Sequence, residues 1–139
     1  MSPVIFSLLV NYVAKYVIRN GKHGVQLMPD VATVYLLLFA DDIALMSDTV
    51  VGLQNQVNNL KQASDVIGLE VNVQKTKIVI FRNGGYIARH EKWFLGRQEI
   101  EIVNEFKYLG VLFTSRLSVN ALQQDLTQRA RAALLQVNR

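Results

Sequence analysis

The feature that most constrains this chain is a pair of adjacent aspartates inside a strongly apolar segment. Asp41 and Asp42 follow Phe39 and Ala40, with apolar runs at residues 34–38 and 43–46 on either side. Two carboxylates among apolar side chains cost free energy unless polar or charged groups meet them. A β-hairpin with both aspartates at its tip and the two runs paired as strands meets this requirement.

The aspartate pair has two explanations at this point. A hairpin tip with two carboxylates offers the oxygen ligands that a hard divalent cation prefers. Aspartate is also a common turn residue, because it tolerates turn geometry and hydrogen-bonds its own backbone. The dipeptide by itself favours the turn explanation, so the surrounding sequence has to decide.

Three further segments follow the order of boxes found in reverse transcriptases. Ser2-Pro3-Val4-Ile5-Phe6 is similar to the end of the template-binding box, and residues 68–77 contain the Gly-Leu, Asn and Lys-Thr of the box after the aspartates. Phe106-Lys107-Tyr108-Leu109-Gly110 is similar to the primer-grip box. From Ser2 to about Ser115 the chain therefore resembles the reverse transcriptase of a non-LTR (LINE-like) retrotransposon.

The resemblance implies an α+β fold that is an incomplete polymerase palm. The expected architecture is an antiparallel palm-type sheet with an aspartate-tipped β-hairpin and helices packed on one face. Residues 1–115 would be the partial palm, and residues 116–139 the start of the thumb, where apolar spacing predicts a helix at about 119–137.

The resemblance also implies functional residues. Asp41 is expected to be the main catalytic metal ligand, with Asp42 as a second ligand or an organiser of the turn; the ion would be Mg²⁺, with Mn²⁺ as an alternative. Lys75 matches the family's lysine near the leaving pyrophosphate, a candidate general acid, although an exposed strand-end lysine explains it equally well. The expected nucleic-acid-binding residues are Phe39, Lys75, Leu109 and Gly110, and the resemblance places the last two at the turn that grips the primer strand. The implied partners are an RNA template, a DNA primer and deoxynucleoside triphosphates.

Two family motifs are absent from this sequence, namely a Gln-Gly before the Ser-Pro and an earlier strand with a further catalytic aspartate. Tyr12 also follows Asn11, where the family usually has an acidic residue. A two-metal site needs more carboxylates than one hairpin tip supplies. The expectation is a fragment of an RNA-directed DNA polymerase that is inactive alone and that another chain or a longer product completes. Whether this polypeptide is itself an enzyme stays open, and the alternatives are a non-catalytic nucleic-acid-binding remnant of a retroelement or a decayed reading frame.

Charge and composition limit the kinds of partner and site that this chain can have. The first 70 residues carry four basic and six acidic side chains, and residues 71–139 carry eleven and five, for a net charge of +4. A basic second half suits contact with a phosphate backbone, and a solvated basic surface is the simpler alternative. The chain has no cysteine, which excludes disulfides and cysteine-bound zinc. Asn11 and Lys15 interrupt the apolar start, so no membrane association is expected, and the expected location is intracellular, in the cytoplasm or the nucleus.

Periodicity and turn residues predict the remaining elements. Ser7, Asn11, Lys15 and Arg19 form a single polar stripe and predict a mostly buried helix from residue 3 to 18 or 19. A second helix is predicted at about 49–67, capped by Asp48 and ended by Gly68 in a left-handed conformation. The predicted strands are 25–28, 33–39, 43–47, 69–73, 77–82, 99–103 and 107–113, with a turn at 83–85.

Overall fold

The computed structural model describes residues 2–21, 23–28, 32–82 and 91–116. The chain divides into two compact units, the first formed by Met1–Val73 with Arg89–Ile100 and the second by Gln74–Ala88 with Glu101–Arg139. The predicted turn at 83–85 and nearly all of the predicted thumb region, including its helix at 119–137, lie outside the described residues. No helix of the described part is long and apolar enough to cross a bilayer.

The described elements are two helices and ten short strands. In chain order they are α1 (Pro3–Asn20), β1 (Val25–Met28), β2 (Ala32–Val34), β3 (Leu36–Phe39), β4 (Asp42–Leu45), α2 (Val50–Val66), β5 (Lys77–Ile78), β6 (Phe94–Leu95), β7 (Gln98–Glu99), β8 (Glu101–Ile102), β9 (Glu105–Tyr108) and β10 (Val111–Thr114). The expected α+β class is confirmed.

Helix α1 begins and ends close to its predicted limits. Ser2 is the N-cap residue with an extended backbone (φ −64°, ψ 137°), and Pro3 takes the first helical position, where its missing N–H is not needed. At the other end, Asn20 Nδ2 donates to the Tyr16 carbonyl at 2.9 Å. This side-chain bond satisfies one of the carbonyls that a helix end leaves without a backbone partner.

The prediction that α1 is mostly buried is wrong. Only one face of the helix is buried; it consists of Val10, Val13, Ala14 and Val17. On the other side Val4 is 69% and Leu8 64% exposed, next to the polar stripe. A narrow polar stripe shows where water is tolerated, but it does not show how far the exposed surface extends around the helix.

Helix α2 is held at both ends by local hydrogen bonds. Its N-cap is Thr49, whose Oγ1 accepts from the Gly52 N–H at 3.0 Å, so the prediction of Asp48 as the cap is wrong by one residue. The predicted left-handed end is confirmed, because Gly68 has φ +70°. The Gly68 N–H donates to the Asp65 carbonyl and the Leu69 N–H to the Ser64 carbonyl, the two bonds of a Schellman motif.

The core of the first unit lies between the two helices and one hairpin. Val13 and Val17 of α1 meet Leu60 and Ala63 of α2, all at least 92% buried. Leu36, Ile43 and Leu45 of the β3–β4 hairpin pack against this cluster. Burial of apolar surface contributes about 25 cal/mol per Å², so this contact fixes the hairpin onto the helix pair.

The described strands form five separate two-stranded ladders rather than one sheet. β1–β2, β3–β4, β6–β7 and β9–β10 are antiparallel, and β5–β8 is parallel. The hairpin strand predicted at 33–39 is interrupted at Tyr35, and no strand forms at 69–73. The strand predicted at 77–82 is reduced to β5, and the one at 99–103 is divided between β7 and β8. The strand predicted at 107–113 is wrong, because this segment turns back on itself.

Candidate active site

The two aspartates lie at the end of a tight hairpin, as predicted. Phe39 pairs with Asp42, which leaves Ala40 and Asp41 as a two-residue turn. The favoured two-residue hairpin turns require a positive φ at their first residue, because the turn then follows the twist of the strands. Ala40 has φ 53° and meets this requirement. Asp41 is therefore in the turn itself, and Asp42 is the first residue of β4.

The hairpin has one packed face and one open face. Leu36 opposes Leu45 and packs on the helices, and residues two apart along a strand share a face. Leu37, Phe39 and Asp42 consequently lie on the opposite face. Phe39 is 62% exposed and Leu37 45% exposed. The hairpin thus presents an aromatic ring beside its carboxylates on a surface open to a ligand.

The donor set at the tip fits part of a divalent-cation site. Asp41 and Asp42 are both exposed and contribute carboxylate oxygens, the ligands that Mg²⁺ takes together with water and substrate phosphates. Within the described part of the chain, no three His, Cys, Asp or Glu side chains come together as a metal-binding group. The tip can therefore supply two carboxylates to an ion and needs ligands from elsewhere to complete the shell.

The end of the hairpin opposite the aspartates, its foot, is attached to α2 by Gln56, a residue that sequence reasoning missed. Gln56 is fully buried, and its Nε2 donates to the Met46 carbonyl at 2.8 Å and to the His23 carbonyl at 3.0 Å. Its position could have been noticed, because Leu53, Gln56 and Leu60 follow the three- and four-residue spacing of a buried helix face. A polar residue within such a stripe is expected to be buried and to make hydrogen bonds there.

The second unit holds the other predicted site residues. Lys75 is exposed in a turn two residues before β5. Leu109 (φ 48°) and Gly110 (φ 82°) form the two-residue turn between β9 and β10, where Tyr108 pairs with Val111. The resemblance placed these two residues at a turn, and that placement is confirmed. Leu109 is 47% exposed and Phe113 on β10 is 39% exposed.

Comparison with known proteins identifies the family. The family model described as "Reverse transcriptase (RNA-dependent DNA polymerase)" matches residues 1–113. The chain therefore belongs to the reverse transcriptase family. Its predicted origin, the reverse transcriptase domain of a non-LTR retrotransposon, is confirmed.

Two curated relatives come from retrotransposable elements. The chain is 27% identical over 123 residues to the "Retrovirus-related Pol polyprotein from type-1 retrotransposable element R2" of Nasonia vitripennis. It is 25% identical over 122 residues to the "Retrovirus-related Pol polyprotein from type-2 retrotransposable element R2DM" of Drosophila melanogaster. Each alignment covers 83% of this chain but only 12% and 11% of the respective relative. No solved structure matches the chain.

Proposed function

We propose that this chain is a fragment of an RNA-directed DNA polymerase and contributes the metal-binding hairpin of its palm. The observation that carries the proposal is the two-residue turn that presents Asp41 and Asp42 on the open end of a hairpin packed onto two helices. Family membership supports the polymerase assignment. The activity belongs to a longer protein in which this chain is one part of the palm.

Each site residue has a proposed role in nucleotide addition. Asp41 and Asp42 would hold the divalent ions, and Phe39 beside them would help to place the primer end. The primer 3′-hydroxyl forms a bond to the α-phosphorus and loses its proton to solvent, while the bond to pyrophosphate breaks. By the family resemblance, Lys75 would supply a proton to the departing pyrophosphate. When bound, Mg²⁺ or Mn²⁺ stabilises the attacking and leaving oxygens of this displacement.

The turn at Leu109 and Gly110 is proposed to hold the primer strand. Tight turns bring backbone groups to the surface, and an exposed apolar side chain at the turn offers a contact for a sugar or base. Lys75, Lys107, Arg82 and Arg116 add positive charge to the described part of the second unit. Positive charge on this unit supports binding of a template–primer duplex.

The proposed site is completed by a carboxylate from another strand. One hairpin tip would supply two carboxylates, and the family resemblance implies that a further carboxylate would help to hold two divalent ions. That residue comes from a longer product of the same gene or from another chain. The chain by itself is therefore expected to bind Mg²⁺ weakly and not to polymerise.

Primer extension on an RNA template tests this proposal. The purified chain should yield no product with Mg²⁺ and deoxynucleoside triphosphates, and it should bind an RNA–DNA template–primer with an affinity that falls as salt is raised. Mg²⁺ should strengthen that binding in the parent chain but not in Asp41→Asn. The control is Asp48→Asn, which replaces an exposed aspartate away from the tip and should respond to Mg²⁺ like the parent chain. Templated synthesis that disappears in Asp41→Asn would show that the chain is active without a further carboxylate. Binding with no Mg²⁺-dependent part would favour a non-catalytic nucleic-acid-binding remnant instead.

A further inference from the structure

The connection between Gln56 and the aspartate hairpin suggests a role for this residue beyond stability. Gln56 is 0% exposed, and its Nε2 donates to two carbonyls from different loops, His23 before β1 and Met46 after β4. Its Oε1 is also buried and makes no hydrogen bond within the described part of the chain. A buried acceptor without a partner costs free energy, so an amide at this position is useful for its donors.

Those donors act on the point where the hairpin begins and ends. Met46 directly follows β4, and its N–H donates to the carbonyl of Tyr35, the residue before β3, at 2.8 Å. Gln56 holds the carbonyl of the same Met46 at 2.8 Å. The amide therefore fixes the closing pair of the hairpin to α2.

The close packing of the loop and the helix at this point strengthens the attachment. A Cβ on Gly52, one turn before Gln56, would lie 2.4 Å from His23 Cβ and 2.5 Å from Ser47 Oγ. The two loops thus approach the backbone of α2 as closely as a glycine permits. Gln56 meets their carbonyls at a distance where a shorter or apolar side chain would leave both acceptors without a donor.

A change in the position of Met46, at the foot of the hairpin, also changes the position of the aspartates at its tip. Four consecutive residue pairs join Leu36–Leu45 to Phe39–Asp42, so the ladder moves as one piece. At about 3.3 Å per residue, Asp42 lies roughly 13 Å from Met46 along the strand. A small change of angle at Met46 displaces the carboxylates by more than the roughly 0.5 Å that a metal or catalytic site tolerates.

We propose that Gln56 is a positioning residue for the metal site at Asp41 and Asp42 and that it acts through Met46. This inference rests on the proposed function of the hairpin. Replacement by methionine fills a similar volume but removes both donors. The consequence is a hairpin that remains attached through its apolar face but samples a wider range of tip positions.

Two measurements on the 139-residue chain test the proposal. In Gln56→Met, amide hydrogen exchange in β3 and β4 should be faster by about tenfold or more, while exchange in the middle of α1 should follow global stability alone. Mn²⁺-induced broadening of amide signals at residues 39–43 should require a several-fold higher Mn²⁺ concentration. If Gln56→Met does not fold, Gln56→Asn keeps the amide but falls one methylene short of both carbonyls, so it should show the same two changes.

The matched control is Trp93→Phe. Trp93 is buried, and its Nε1 donates to the Val50 carbonyl at 3.0 Å, so this variant also removes one donor to a backbone carbonyl in the first unit, but that carbonyl belongs to α2 and not to the hairpin. It should lose stability without a selective change in β3–β4 exchange or in Mn²⁺ affinity. If the Gln56 variant behaves like Trp93→Phe in both measurements, Gln56 is a structural residue only and the inference is wrong. If Asp41→Asn leaves the Mn²⁺ broadening unchanged, the proposed function fails separately, and hydrogen exchange alone decides whether Gln56 positions the hairpin.

Discussion

Gly52 and Gly68 are required to be glycine for different reasons, the first for space and the second for backbone conformation. Gly52 lies inside α2, where alanine normally stabilises a helix by about 0.5–1 kcal/mol. Its missing Cβ, however, leaves room for His23, Ser47 and Thr49, each of which would lie within 2.5 Å of a Cβ. Gly68 has open space around it and is needed only for its positive φ.

Gly52→Ala should therefore destabilise the chain, although alanine has the higher helix propensity. We expect a loss of about 1–3 kcal/mol in the free energy of unfolding, the usual result of overpacking, measured by urea denaturation. The comparison variant is Gly68→Ala, which should lose about 1–2 kcal/mol from backbone conformation alone. Hydrogen exchange would separate the two, because only the Gly52 variant should loosen the foot of the hairpin. A gain in stability for Gly52→Ala would contradict the packing described for this loop.

Several single residues could be predicted from the sequence, and others could not. Asp41 and Asp42 were located at the hairpin tip because two carboxylates between apolar runs leave few alternatives. Gln56 was missed because a polar residue on an apolar stripe resembles an interruption until its partners are known. Those partners, the carbonyls of His23 and Met46, are 33 and 10 residues away, and no local pattern reports such distances.

Among the elements, the beginning of α2 shows how a cap can be misassigned by one residue. Asp48 and Thr49 are both good N-cap residues, and sequence alone does not separate them. The structure does, because Thr49 Oγ1 accepts the Gly52 N–H while Asp48 is exposed outside the helix.

Replacement of each candidate cap tests this assignment. Thr49→Ala should reduce the free energy of unfolding by about 1 kcal/mol, and Thr49→Ser should restore most of it, because serine keeps the accepting hydroxyl. Asp48→Ala should change it by less than about 0.5 kcal/mol. If Asp48→Ala lowered the free energy of unfolding more than Thr49→Ala in thermal or urea denaturation, the N-cap would be Asp48 instead.

The β9–β10 hairpin was predicted as one strand for a similar reason. Leucine normally avoids a positive φ, so Leu109 gave no sign of a turn, and only Gly110 interrupted the apolar pattern. Leu109 nevertheless has φ 48° with nearly half its surface exposed. Backbone strain of this kind persists where the surroundings or a function require it.

Relief of this strain should be measurable. Leu109→Asn should raise the free energy of unfolding by up to about 1 kcal/mol, because asparagine tolerates the left-handed region and nearly half of the leucine is already exposed. The same variant should weaken template–primer binding if Leu109 contacts the primer as proposed. Lower stability for Leu109→Asn would show that Leu109 is held by packing that outweighs its backbone strain.

In the molecule as a whole, the described residues form two units, each with its own small set of elements. The α+β class and the aspartate hairpin followed from the sequence, whereas the number and pairing of the short strands did not. The two-residue ladder β5–β8 depends on partners more than 20 residues apart and leaves almost no periodicity to read. The exposed side of α1 was missed for a related reason, since burial depends on what surrounds a helix as well as on its own pattern.

The uneven burial of α1 and α2 predicts uneven effects of mutation. Leu60→Ala removes a core side chain and should cost about 2–5 kcal/mol. Leu8→Ala, at a position 64% exposed, should change the free energy of unfolding by less than about 0.5 kcal/mol. Both variants can be compared by urea denaturation. A large loss for Leu8→Ala would mean that the outer face of α1 is covered in solution.

The central claim is that Asp41 and Asp42 bind a divalent cation, and a Mn²⁺ titration followed by NMR tests it most directly. In the parent chain, low Mn²⁺ should broaden the amide signals of residues 39–43 before those near other exposed carboxylates. Asp48→Asn should leave this pattern unchanged, and Asp41→Asn should abolish it. Equal broadening at all exposed acidic residues, or a pattern that survives Asp41→Asn, would contradict the assignment and leave the aspartate pair as turn chemistry alone.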